Sequence, residues 1–156
     1  GDDILTGGSG NDFLDGGTGV NELRGGAGND KIVFSADNLL MDGGDGIDTL
    51  LVDTSIDFSG FDSSVIDNME VIDMTGNGAQ SLTNLTTSDV IEMTDSNNTL
   101  FINGSNADSV ELSGNDWTNT NTTTTQNGNT YEVYSFSDTN GSYNVMIDTD
   151  ITTTVI

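Results

Sequence analysis

The chain has no cysteine, no proline and no histidine, and only two basic residues, Arg24 and Lys31, against 26 acidic ones. Without cysteine there is no disulfide and no thiolate metal site, so thiols say nothing of the redox compartment. Without histidine or cysteine the common general bases and nucleophiles are missing. Catalysis would need paired carboxylates in a cleft, and the chain is read as not an enzyme. Two basic side chains cannot displace the counterions of a phosphate backbone, which excludes nucleic acid as a partner. The formal net charge of -24 at pH 7 sets the chain against an anionic membrane surface. No apolar run approaches the roughly 18 residues of a membrane span, so no stable membrane insertion is expected. No basic-then-apolar leader opens the sequence. The absence of proline also removes slow prolyl isomerisation from folding.

What the chain has in quantity is glycine, 20 residues, and much of it is periodic. From Gly7 the sequence reads GGSGNDFLD, from Gly16 GGTGVNELR, from Gly25 GGAGNDKIV, and from Gly43 GGDGIDTLL. The intervening block FSADNLLMD, from Phe34 to Asp42, has lost its glycines but keeps the nine-residue length. The eighth position holds Leu5, Leu14, Leu23, Ile32, Met41 and Leu50, an apolar column that a slip of one residue would scatter. A flexible linker would not keep such a column. The opening GDDILT is the tail of a further copy, and more copies are expected upstream.

A nine-residue unit divides naturally into a six-residue turn, whose glycines take positive φ, and a three-residue strand. Two units close one coil, successive turns fall on opposite sides, and the eighth-position side chains fill the interior. The expected fold is all-β: a parallel β-roll over residues 1–51, followed by a β-rich capping domain over 52–156 with one or two short helical turns.

This G-G-x-G-x-D-x-U-x pattern resembles the RTX family of calcium-binding nonapeptide repeats. Stacking places Asp12, Asp30 and Asp48 on one side and Asp3 and Asn21 on the other. The resemblance implies calcium ions between stacked turns. The lower turn supplies the carbonyls of positions two and four and its Asp; the upper supplies carbonyls one and three and its Asp. Carried onto this chain, the first site uses Gly8, Gly10 and Asp12 with Gly25, Ala27 and Asp30. The second uses Gly26, Gly28 and Asp30 with Gly43, Asp45 and Asp48. On the opposite side the site of Gly1 and Asp3 with Gly16, Thr18 and Asn21 lacks one charge, and it is expected to be weak or empty. The next position there pairs Asn21 with Leu39, which is no ligand, with Asp37 nearby as an alternative donor. A hard-oxygen set without His or Cys points to Ca²⁺ over zinc or copper.

After Leu51 the text becomes short β-prone runs between polar turns. Strands are expected at Leu50–Val52, Val71–Met74, Thr99–Ile102, Ser109–Leu112, Tyr131–Tyr134 and Tyr143–Ile147. Single helical turns are expected at Asp62–Asn68 and Asp89–Met93, the latter opened by Asp89 with Glu92. Ile47, Leu51, Val65, Ile66 and Met69 are placed to begin covering the open end of the roll. The tract TNTNTTTTQNGN, Thr118 to Asn129, reads as an exposed loop. Trp117, Tyr131, Tyr134 and Tyr143 read as core, with a ligand-stacking patch as the alternative.

The last 70 or so residues, including TLFINGSNADSVELSG, NGNTYEVYS and YNVMIDTDI, resemble segments that end long bacterial RTX adhesins. What this implies is an uncleaved C-terminal signal for type I secretion, read by an ABC transporter, a periplasmic adaptor and an outer-membrane channel. The location so implied is secreted or at the cell surface, with the fragment monomeric. The function expected is a calcium-binding module serving secretion and calcium-triggered folding outside the cell. The alternative is an adhesive module that binds a glycan or a protein. Ice binding has little support, because the array is short and carries no regular threonine ladder.

Overall fold

Paired strands lie eighteen residues apart, two nonapeptides to a coil. The computed structural model describes residues 1–76, 78–96 and 98–156. In it β1 (Ile4–Ser9), β3 (Glu22–Ala27) and β5 (Leu40–Asp45) stack in parallel on one side of the roll. On the other side β2 (Phe13–Leu14), β4 (Lys31–Val33) and β6 (Thr49–Leu51) do the same. The register aligns Leu5 with Leu23 and Met41, and Leu14 with Ile32 and Leu50. This is the apolar column read from the sequence. Leu23, Ile32, Met41 and Leu50 are fully buried.

The coils approach so closely that the turns admit only glycine at key points. Gly26 has φ +113°, and a Cβ there would collide with the carbonyl oxygen of Gly8 one coil below. Both the backbone angle and the spacing therefore exclude a side chain.

The nine-residue period ends at Leu51, but the parallel pairing does not. Beyond it come β7 (Ile56–Asp57), β8 (Ile66–Asp67), β9 (Val71–Asp73), β10 (Ser81–Leu85), α1 (Thr87–Met93), β11 (Thr99–Asn103) and β12 (Ser109–Leu112). The chain ends with β13 (Thr118–Gln126), β14 (Asn129–Ser137), β15 (Ser142–Asp148) and β16 (Thr152–Val155). β8 adds to the β1-β3-β5 sheet, and β9 continues from β6 to β11 and β15. A third, parallel sheet has the order β16-β12-β10-β7. The chain thus goes on alternating between one long sheet and a facing one, with coils of irregular length. One apolar cluster runs from Leu14 to Ile151. The fold is all-β with parallel sheets, as expected, and the described residues carry one α-helix and a 3-10 turn at Ser63–Val65.

Several local expectations need correction. Thr118–Asn129 is no loop: most of it is β13, hairpinned to β14. Threonine is β-branched and suits a strand, and Asn127-Gly128, both at positive φ, makes the tight turn that Asn-Gly favours. The helix at α1 begins earlier than expected. Thr86 is its N-cap in a capping box with Asp89, because a threonine three residues before a carboxylate satisfies two orphan amides at once. Of the residues expected to cover the roll, Ile66 and Met69 are fully buried, whereas Ile47 is 52% exposed at the tip of a turn. Trp117, Tyr131, Tyr134 and Tyr143 are buried. Trp117 meets Phe136 edge-on at 4.9 Å, and Phe136 stacks on Tyr143 at 4.8 Å.

Candidate metal centre

On the side of the roll that carries Asp12, Asp30 and Asp48, the carboxylates form a ladder. The Asp12 N–H donates to Asp30 Oδ1 at 2.7 Å, and the Asp30 N–H donates to Asp48 Oδ1 at 2.7 Å. Asp30 and Asp48 each so use one oxygen to fasten the turn below. Their second oxygen has no partner. Oδ2 of Asp12, of Asp30 and of Asp48 are all buried without a hydrogen bond. Asp30 is 1% exposed and Asp48 is fully buried.

Carboxylate oxygens in that position are costly unless something positive meets them. Among the described residues no basic side chain forms a salt bridge with them, since Arg24 pairs with Glu22 at 2.9 Å. Burial pushes the Asp48 carboxyl up, and the nearby Asp30, Asp42 and Asp45 charges push the same way, partly offset by the Asp30 N–H.

Carbonyls lie beside these oxygens and along the stacked turns. Asp12 Oδ2 and the Gly25 carbonyl oxygen both lie against the α-carbon of Gly7, where a Cβ would sit 2.6 and 2.7 Å from them. Asp30 Oδ2 and the Gly43 carbonyl oxygen crowd Gly25 in the same way. The carbonyl oxygens of Gly8 and Gly10 face Gly26 and Gly28 of the next coil, and those of Gly26 and Gly28 face Gly44 and Gly46. Ala27 and Asp45, the two position-three residues, accept from Gly10 N at 2.7 Å and Gly28 N at 2.8 Å, and a carbonyl keeps a second lone pair beyond one such bond.

The structure therefore puts Asp12 Oδ2 beside the Gly25 carbonyl and Asp30 Oδ2 beside the Gly43 carbonyl, and it stacks the turns that carry Gly8, Gly10 and Ala27, and one coil on Gly26, Gly28 and Asp45 next to Asp48, directly against each other. Such an all-oxygen set, rich in main-chain carbonyls and with two carboxylates, fits calcium. Among the described residues no group of three acidic side chains could hold a metal by itself, so the carbonyls are essential to the fit.

The opposite side differs. Asn21 Oδ1 accepts from Asp3 N at 3.0 Å, repeating the ladder. Its Nδ2 takes the place of the orphan oxygen, 2.7 Å from where a Cβ of Gly16 would be. That amide donates to the Gly19 carbonyl at 3.2 Å and to Asn38 Oδ1 at 3.1 Å. An N–H donor now fills the spot, and hydrogen bonds satisfy it. Asp3 and Thr18 are exposed, and the Thr18 carbonyl accepts from the Gly1 amino terminus at 3.0 Å. One coil on, Leu39 and Asp37 are exposed, and it is the buried Asn38 that meets Asn21. Asn38 escaped the sequence reading because it stands one residue before the register position.

Glu70 was missed too. It is 5% exposed, its Oε2 accepts from Asp48 N at 2.8 Å, and burial raises its carboxyl to about 7. It lies 22 residues after Asp48, so the nonapeptide count could not find it.

Residues 1–33 match the family model of the RTX calcium-binding nonapeptide repeat (4 copies). No curated protein and no solved structure matches the chain. With the glycine turns, the aspartate ladder and this match together, residues 1–33 are an array of RTX calcium-binding nonapeptide repeats.

Proposed function

We propose that this chain is a non-catalytic module from the C-terminal region of a large secreted RTX adhesin, exported by a type I apparatus and ordered by calcium outside the cell. The observation that carries the reading is the column of three buried carboxylate oxygens without partners, repeated every eighteen residues. In a calcium-poor cytoplasm the stacked Asp12, Asp30 and Asp48 repel one another, and the net charge of -24 favours an extended chain suited to export. Outside, neutralising that column makes the same charges cohesive, so that calcium affinity becomes folding free energy. The continuity of the apolar cluster from the roll into the later strands supports propagation of order from one to the other.

The adhesive alternative draws less support, because the four aromatics that would form a stacking patch are at most 8% exposed. Among the described residues no helix is long and apolar enough to cross a membrane.

Two measurements test the reading. Calcium titration followed by far-ultraviolet circular dichroism is expected to show a cooperative gain of β-structure, and a chain equally ordered in chelator would make calcium incidental. Deleting roughly the last 60 residues from a fused passenger is expected to abolish its type I export. Unchanged export would remove the secretion claim.

A further inference from the structure

The carboxylate ladder does not stop where the nonapeptides do. At each coil of the roll two features recur: the N–H of the lower Asp donates to a carboxylate of the upper turn, and the Oδ2 of the lower Asp lies beside an upper carbonyl, both crowding one glycine. Between the coil of Gly43–Asp48 and the segment Asn68–Glu70 both recur without a repeat to supply them. Asp48 N donates to Glu70 Oε2 at 2.8 Å, as Asp30 N donates to Asp48 Oδ1 at 2.7 Å. Asp48 Oδ2 and the Asn68 carbonyl oxygen both lie against Gly43, as Asp30 Oδ2 and the Gly43 carbonyl oxygen lie against Gly25.

We propose that Asp48, Glu70 and the carbonyls of Asn68, Gly44 and Gly46 form a third calcium site, at the junction of the roll with the strands that follow it. The inference rests on the reading that the two sites below it bind calcium. Asp48 is fully buried and its Oδ2 has no hydrogen-bond partner. Glu70 takes the ladder position that an aspartate holds in the coils below. Gly44 and Gly46 have φ of +97° and +149°, left-handed like Gly26 and Gly28 at +113° and +126°, so the lower turn keeps the shape that presents carbonyls two and four.

The upper half is different. Asn68, itself at φ +52°, is held by its side-chain amide donating to Asp42 Oδ1 at 2.9 Å. Only one residue separates it from Glu70, whereas four separate Gly43 from Asp48. The carbonyl that position three would supply is absent, and the longer glutamate side chain spans the gap. Five oxygens remain, leaving calcium a position for water. Met69, between the two ligands, donates its N–H to the Met93 carbonyl at the end of α1 at 2.9 Å. An ion here links the order of the roll to that of the helix and the later strands.

Counting ions by equilibrium dialysis on the whole chain tests this. Three calcium ions are expected on the unaltered chain and two on Glu70→Gln, which keeps an oxygen to accept from Asp48 N. A third ion on the opposite side would be lost in Asp3→Ala, so that variant is expected to retain three. Two ions on the unaltered chain, or three on Glu70→Gln, would overturn the third site while leaving the roll's own sites intact. No bound calcium at all would overturn the underlying reading instead. Should Glu70→Gln not fold, Asp3→Ala decides: three ions uphold the site, two overturn it.

Discussion

Replacing Asp30 by alanine tests the roll most directly, because Asp30 faces two sites at once. Its Oδ2 lies beside the Gly43 carbonyl in the upper site, and its carboxylate is the upper acid of the site that holds Asp12. A site with a dissociation constant near 10⁻⁴ M adds about 1.3 kcal/mol of stability when free calcium rises from about 1 to about 10 mM. Two sites add about 2.6 kcal/mol. Asp30→Ala is expected to remove that whole increment, whatever it does to the metal-free chain. There the change is a balance: the Asp12 N–H loses its 2.7 Å acceptor, at a cost of about 1–3 kcal/mol, while a buried carboxylate without a second partner is also removed. Urea unfolding followed through the fluorescence of Trp117, the lone tryptophan and 8% exposed, reads both quantities. Working between two calcium concentrations avoids the need for a folded chain in chelator. If Asp30→Ala gained stability with calcium as fast as the unaltered chain, the orphan oxygens would not be ligands and the site assignment would fall.

Two further outcomes follow from the geometry. Gly26→Ala is expected to cost about 3 kcal/mol or more in urea melts, from its +113° φ and the collision with the Gly8 carbonyl, whereas Gly60→Ala, with open space around it, is expected to change stability by less than about 1 kcal/mol. In chelator, the folded chain retains a proton on Glu70 up to about pH 7, while the unfolded chain loses it near the ordinary 4.5. The contribution of Glu70 to metal-free stability is therefore fullest below 4.5 and falls by about 3 kcal/mol as pH rises through 7, and urea melts in chelator with a stabilising osmolyte are expected to show that part of the slope in the unaltered chain and to lack it in Glu70→Gln.

The roll was legible because two constraints repeat together. Glycine is forced where coils touch, and an apolar residue is forced where the interior must be filled, so Leu5 to Leu50 could be aligned by counting. Past Leu51 the coils keep their stacking but vary in length, and counting fails. Glu70 stands 22 residues above Asp48, not 18, after a 3-10 turn has been inserted. The two-residue strands β7 and β8 are too short to carry an alternation. β13 was misread for another reason: its side chains face solvent almost throughout, so no burial pattern marks it, and only its threonines and the Asn-Gly turn point to a hairpin. The one-residue offset that brings Asn38 to Asn21 arises in a block whose glycines are gone.

β13 closes one end of the longest sheet, and its composition bears on what happens when many copies of such a chain emerge together. A terminal strand with free amides and carbonyls can recruit a neighbour's strand and seed a fibril. Here the rim is threonine and asparagine, and its register slips between Asn119 and Thr123 with Asn121 at φ +55°. The strand is bent out of a flat template and offers no apolar zipper to a newcomer. A rim of this kind disfavours strand pairing between one copy and the next.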